Sequence, residues 1–488
     1  MPEFLFAIDR GKAVHCRAGA IESRANEKPG RLMQTLLANA GAGDLAQPKL
    51  ARRLTYRDLL LYGLAYIAPV APLSTFGFVW QASGGLVALA YLLGALCMFF
   101  TARNYAVMTE VVTSAGSVYS IARVALGPLP GFIAGWLILL DYLLIPAFIF
   151  VLMAIGMNKL VPQVDRTVWI LVFVLTTTTV NWFGINVTAR VNMLAVMAQF
   201  VVVLSIVGFA VYQICKSDGF GALTLNPFYS SQAFSIHGIF AGTSICVLSF
   251  LGFDAIATLS EEVQDNDRRM VGRAIINVLL ICGALFVLTV WALAGLMPGF
   301  TPRDPATAFF DLASVRFGPS FSILLAWLLI LIVGFTNAVP MQAGVARVLF
   351  AMGRDGQLPQ LFGRLHPRRG EPHVAMLFSA IFSLAVAEVM HDRLDVLASL
   401  VSFGALAAFL FLHVSVLVHM AWRSASRQYF AHWAVPILGI AVVVAVLCGM
   451  APAALTAGCA WLAIGVAYAL ILHRRTHLKS AQHDCDCT

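Results

Sequence analysis

Asp141 lies in the run Trp136-Leu-Ile-Leu-Leu-Asp141-Tyr142, and Asp254 closes Ser249-Phe250-Leu251-Gly252-Phe253-Asp254. Both sit inside long apolar stretches. A carboxylate there is expensive unless it faces protein, water or a cation, so each first suggests a proton, cation or gating site. Thr258 and Glu261 follow Asp254 by four and seven residues, the spacing of one helical face, with Glu262 at its edge. Such a stripe suits proton relay, cation attraction or gating. Solvation at a helix end is the plainer reading for Glu261 and Glu262. Histidine is the side chain whose ordinary range spans neutrality, so His413 and His419 could assist coupling, or pack as hydrogen-bonded histidines.

The backbone around these groups is interrupted. Gly63-Leu-Ala-Tyr66-Ile67-Ala68-Pro69-Val70-Ala71-Pro72-Leu-Ser74-Thr75-Phe76-Gly77 carries two prolines three apart, which remove two donors and clash with the preceding turn. Gly252, flanked by aromatics and followed by an acid, is a second interruption. Broken backbone inside a bilayer survives where it lines a cavity. Breaks at corresponding places in two halves point to a solute-binding site. A proline kink and a small-residue packing site are the structural alternatives. Beside the breaks, Tyr66, Phe76, Phe250 and Phe253 offer ring faces to an ammonium, at about 0.5 to 2 kcal/mol each, with Tyr119 and Tyr142 as further candidates. Carbonyls near Ile67, Ala68, Pro69 and Gly252 and the hydroxyls of Ser74 and Ser249 complete the candidate set.

The elements that must position these groups follow from composition. The chain has 488 residues, 60% hydrophobic and 11% charged, against roughly 25% charged in soluble domains. That excludes a soluble enzyme, a coiled coil and a disordered chain. Twelve apolar segments are long enough to span a bilayer, at about residues 58–82, 86–108, 129–157, 167–185, 190–214, 237–260, 272–297, 319–350, 373–390, 395–421, 433–450 and 453–472. The breaks fall in segments one and six, as a five-plus-five inverted repeat with two extra helices requires. The fold expected is an all-α polytopic membrane protein with discontinuous helices 1 and 6.

Residues 1–54 mix both charge signs without periodicity and read as a largely disordered tail. Residues 55–472 form the membrane domain and 473–488 a second tail. Of the 32 Lys and Arg, six (Lys159, Arg166, Lys216, Arg303, Arg316, Arg393) fall on one side of this arrangement and 26 on the other, which places both termini in the cytoplasm. The net charge of +8 therefore marks cytoplasmic loops, with no nucleic-acid partner implied. The nine cysteines are scattered and give no disulfide framework. His483-Asp-Cys-Asp-Cys487 could hold a soft metal or be a disordered end.

Gly63-Leu-Ala-Tyr66, Ala115-Gly116-Ser117-Val-Tyr119, Gly131-Phe-Ile-Ala-Gly135-Trp136, Leu140-Asp141-Tyr142, Ser249-Phe-Leu-Gly-Phe-Asp254-Ala, and Arg347-Val-Leu-Phe-Ala-Met-Gly353-Arg354-Asp355 with Leu358-Pro359 follow one another from about 55 to 472. In their order and spacing the sequence resembles the amino acid/polyamine/organocation superfamily, and within it the bacterial putrescine importers. The resemblance implies a twelve-helix permease with substrate held between segments one, three, six, eight and ten. It also implies uptake driven by the proton gradient, or exchange of one solute for another. Asp254 then matches a coupling or gating carboxylate and Phe250 an aromatic flap over the substrate, while Asp141 and Glu261 remain coupling candidates from their own positions. Ile67-Ala-Pro-Val-Ala-Pro72 departs from the small Gly-Ser-Gly-like turn of many amino-acid members, which favours a substrate without a carboxylate, such as a diamine. Leu73-Ser74-Thr75 lacks an Asp carried by putrescine importers, which weakens the case for a dication. Val112-Thr113-Ser114 replaces a Phe-Pro-Glu and reads as loop variation.

The expectation is a secondary active importer of a small amine or amino acid, putrescine-like polyamines favoured, in the bacterial inner membrane. Its partners are the solute, the proton and the lipid bilayer, and no cofactor is needed beyond the proton gradient. An exchanger of the same fold is the alternative, and a channel or transport-derived sensor a remote one. Enzyme chemistry is not expected, since there is no His-Glu-x-x-His, Gly-x-Ser-x-Gly or phosphate-binding loop.

Overall fold

A computed structural model describes residues 54–486 except 115, 183–187, 219–223, 232–233, 265–266, 268 and 367–370, with the side chains of 159, 188–192, 217–218, 331–333, 335–336 and 472–486 also outside the description. Most of the expected tail 1–54, and the side chains of His483–Cys487, therefore lie outside the described residues.

The first apolar segment is two helices, α1 (Tyr56–Ile67) and α2 (Ala71–Ser83), bent by 40°. A capping box starts α1: Thr55 Oγ1 accepts from Asp58 N, and Asp58 Oδ2 accepts from Thr55 N at 2.9 Å. Then come α3 (Val87–Thr109), the short α4 (Val118–Leu126), α5 (Pro128–Leu160), α6 (Arg166–Trp182) and α7 (Thr188–Asp218). The sixth expected segment is α8 (Ile236–Phe250) followed, after a break, by a 3₁₀-helix over Asp254–Glu262. The second half continues with α9 (Arg269–Gly295), α10 (Ala308–Phe317), α11 (Pro319–Leu328), a π-helical turn over Leu329–Gly334, and α12 (Phe335–Arg354). Helices α13 (His373–Met390), α14 (Leu394–Val416), α15 (Val435–Cys448) and α16 (Pro452–Asp486) complete the order.

Among the described residues nine helical stretches are long and apolar enough to cross a membrane, and the bent α1–α2 pair makes a tenth. The other two expected spans are helical as well, but α6 has 17 residues and the stretch 319–350 is divided by its π-helical turn. Helix α5 is the axis. Its apolar window is 89% buried inside the protein, against 22% for α16 at the periphery. Helices α4, α12 and α14 pack on α5, while α3 lies along α9 and α8 lies against α2 and α3. At Gly404 of α14 an added Cβ would stand 2.8 Å from the backbone N of Asp141, so that close approach to α5 needs glycine.

Candidate functional site

The first break is built from Ala68, Pro69 and Val70. Ala68 has φ 56° and ψ 106°, and its N–H still caps α1 by donating to Leu64 O at 3.1 Å. Ala71 N then donates to Ala68 O (2.8 Å) and Leu73 N to Val70 O (3.0 Å), so the chain turns tightly into α2 while Pro69 and Pro72 supply no donor.

The second break is at Gly252, whose φ of 115° is a conformation that side chains rarely adopt. Asp254 fastens it. Its Oδ1 accepts from Gly252 N at 3.2 Å and its Oδ2 from the Tyr142 hydroxyl at 2.6 Å. The two breaks touch: a Cβ on Gly252 would lie 3.0 Å from the carbonyl carbon of Tyr66.

Between them lies a cavity of about 130 Å³. Tyr66, Ile67, Ala68, Ser74 and Ser249 line it, together with Thr75 and, from other elements, Phe148, Phe309 and Asn337. Ser74 Oγ donates to Ala71 O at 2.8 Å. Thr75, Tyr91 and Ser249 join their hydroxyls at 2.6 to 3.0 Å, tying α2, α3 and α8 together. Tyr66 donates to Pro340 O of α12 at 2.5 Å.

The other expected residues stand behind this wall. Phe76 is buried beside Trp80. Phe250 packs against Tyr91 and Phe286, with ring centroids 6.0 and 5.2 Å away, and does not line the cavity. Phe253 packs against Tyr105 and Phe409. Pro69 and Gly252 shape the breaks without lining it, and Tyr142 holds Asp254. Aromatics that do line it, Phe309 and Phe310, come from α10, in a connection between expected segments seven and eight. Their signal in the sequence was an apolar pair following the polar Thr301-Pro-Arg-Asp-Pro. Asn337 was visible only as a lone amide in an apolar run.

Asp141 is fully buried in mid-α5, and neither carboxylate oxygen has a hydrogen-bond partner. It lies within electrostatic reach of Asp254. The expected stripe from Asp254 through Thr258 to Glu261 does not form, because these residues occupy a 3₁₀-helix with three residues per turn instead of 3.6. Thr258 donates instead to Ala255 O at 2.7 Å. His413 is a buried packing histidine, bonded to Asn104 and to Thr101 (3.3 Å).

Glu261 and Glu262 are not merely solvated. Arg354 grips Glu261 with Nη2 at 3.0 Å and Nη1 at 3.4 Å, and Arg347 Nε stands 3.0 Å from Glu262. Arg347 also donates to the Tyr62 hydroxyl at 3.1 Å. Leu54 adds backbone bonds to Glu262 O and from Gln264 N. Nearby, Arg123 and Tyr119 of α4 both bond Asp355. Burial, then Asp355, pushes the Tyr119 phenol above its ordinary range, so it stays a donor. These contacts hold α1 and the 3₁₀-helix against α12. Arg347→Gln removes a charged contact of about 1.5 kcal/mol, roughly a tenfold shift between closed and open forms. Labelling of a cysteine placed at Ala68 by a membrane-impermeant thiol reagent on the Glu262 side is therefore expected to accelerate, and an unchanged rate would exclude these pairs as a closure.

A larger cavity of about 520 Å³ opens on the outer surface among Leu92, Phe99, Leu225, Leu288 and Trp291. Its indole N–H is already spent on Thr224 O at 3.0 Å, so it offers a solute no recognition and the candidate site is the smaller cavity. Among the described residues no cluster of His, Cys, Asp and Glu could hold a metal.

The sequence model of the amino acid permease family matches residues 58–473. The chain belongs to this family. It is 32% identical over 428 residues to the low-affinity putrescine importer PlaP of Escherichia coli K12, covering 86% of this chain and 93% of that one. It is 27% identical to the branched-chain amino acid permease BcaP of Bacillus subtilis, covering 90% and 97%. The fold is similar to that of MhsT, solved in complex with L-phenylalanine, at a TM-score of 0.57 and 14% identity over 82% of this chain and 99% of that one. This permease is thus an integral membrane transporter with the inverted-repeat, LeuT-like architecture, and not an enzyme.

Proposed function

We propose that this permease imports a small amine or amino acid across the bacterial inner membrane by proton symport with alternating access, both termini in the cytoplasm. The observation that carries the reading is the meeting of two broken helices at one small cavity, with Asp254 fastened at the second break. The N-terminus of α2 brings partial positive charge to the cavity, and the C-termini of α1 and α8 bring partial negative charge, so both a carboxylate and an ammonium can be served. The likeness to a putrescine importer supports an amine within this range. Asp254 and the partnerless Asp141 are buried groups suited to carry the coupled proton, and neither lines the cavity.

Uptake into proteoliposomes tests this, with labelled putrescine beside neutral and cationic amino acids. An imposed inward proton gradient is expected to drive accumulation that a protonophore abolishes. Accumulation seen only after preloading solute inside would replace symport by exchange.

A further inference from the structure

We propose that the cavity selects solutes whose far end is uncharged, and that Asn337 is the residue that reads that end. This rests on the reading of the chain as an amine or amino-acid transporter and narrows its substrate class.

Among the described lining residues there is no Asp, Glu, Lys, Arg or His. Walls from Ile149, Leu152, Phe309 and Met341 are apolar. The polar groups on the wall are mostly spent. Thr75 and Ser249 bond each other and Tyr91, Ser74 bonds Ala71 O, and Tyr66 bonds Pro340 O. Asn337 differs. It is 7% exposed, it lines the cavity, and its Oδ1 has no hydrogen-bond partner. That oxygen is shielded in this state, but a side-chain amide turns about its last bond, so a donor on the solute can draw it into the cavity and remove the cost of an empty buried acceptor.

A solute held at the helix breaks by one ammonium would have to bury a second one against apolar walls and a single amide oxygen. A buried charge without an opposite charge is strongly disfavoured. Asp254 does not help, since both its oxygens are engaged by Gly252 and Tyr142 and it does not line the cavity, and neither does Asp141. The volume of about 130 Å³ sets the size, since an apolar cavity of about 150 Å³ holds benzene. The class is therefore a small amino acid or monoamine with a short apolar or hydroxyl-bearing side chain.

Two matched pairs, each differing by one terminal ammonium, test this in proteoliposomes: norvaline against ornithine, and butylamine against putrescine. The uncharged-end member is expected to compete with labelled substrate at least about tenfold better. If ornithine and putrescine compete equally well or better, the selectivity proposal is overturned while the transport reading stands. If none of the four competes and none is accumulated, the transport reading fails and takes the proposal with it. Asn337→Asp places a carboxylate at the far end and is expected to raise ornithine over norvaline, or putrescine over butylamine, at least about tenfold relative to the native chain. An unchanged order in a variant that remains monodisperse overturns the role of Asn337. Should that variant not fold, Asn337→Leu is read on the isosteric pair threonine and valine. Loss of the acceptor is expected to lower the threonine-to-valine ratio at least about tenfold, and an unchanged ratio overturns the assignment.

Discussion

Asp254→Asn is expected to leave solute exchange across proteoliposomes largely intact and to lower gradient-driven accumulation sharply. Asparagine keeps an oxygen for the Gly252 N–H, which lies 3.2 Å from Asp254 Oδ1. Its amide faces the Tyr142 hydroxyl, now 2.6 Å from Oδ2, and that hydroxyl can accept instead of donate. The break keeps its shape and loses its titratable group. Coupling between two sites is commonly worth about 5- to 150-fold, and accumulation is expected to fall by an amount in that range. Undiminished accumulation in a well-expressed variant would remove Asp254 from the coupling mechanism. Asp141→Asn is the companion test, since its oxygens have no hydrogen bond to lose. If it lowers only protein level and not uptake per molecule, Asp141 is structural.

Gly252→Ala is expected to damage both the fold and the site with a single methyl. With φ at 115°, any side chain is strained, at about 1–3 kcal/mol. The new Cβ would also stand 3.0 to 3.1 Å from the backbone and Cβ of Tyr66, pushing the second break off the first. Stability should fall by the strain, seen as a lower melting temperature of the purified permease. Uptake should fall further than stability accounts for, since a displacement of about 1 Å at a binding site can cost about 100-fold. Normal uptake by a folded Gly252→Ala permease would show that the two breaks need not touch.

Both breaks were legible in the sequence because proline and glycine act locally: Pro69 and Pro72 lack donors wherever they are, and Gly252 precedes an acid in an apolar run. Asp141 and Asp254 were legible for a similar reason, since charge among apolar residues is conspicuous without knowing its neighbours. Which aromatics face the solute was not. Phe250 and Phe253 adjoin the break in sequence, yet their rings point into helix contacts with Phe286 and Phe409. Only the packing of distant helices decides that. Phe309, Phe310 and Asn337 reach the cavity from parts of the chain with no local mark of function. The Asp254–Thr258–Glu261 face failed because helical period was assumed where hydrogen bonding changes to 3₁₀, and nothing in Asp254-Ala-Ile-Ala-Thr-Leu-Ser-Glu-Glu262 announces that change.

That 3₁₀-helix stores length. Its nine residues rise about 2.0 Å each, where an α-helix rises about 1.5 Å, so the same residues wound as α would be about 4.5 Å shorter. The stretch is anchored at one end by the Asp254 bonds at Gly252 and at the other by Glu261 and Glu262 on Arg354 and Arg347. Retraction by that distance would exceed the 3.0 Å reach of either ion pair. A change in winding alone, with no hinge and no tilt, is thus enough to uncouple this end of the permease from α12.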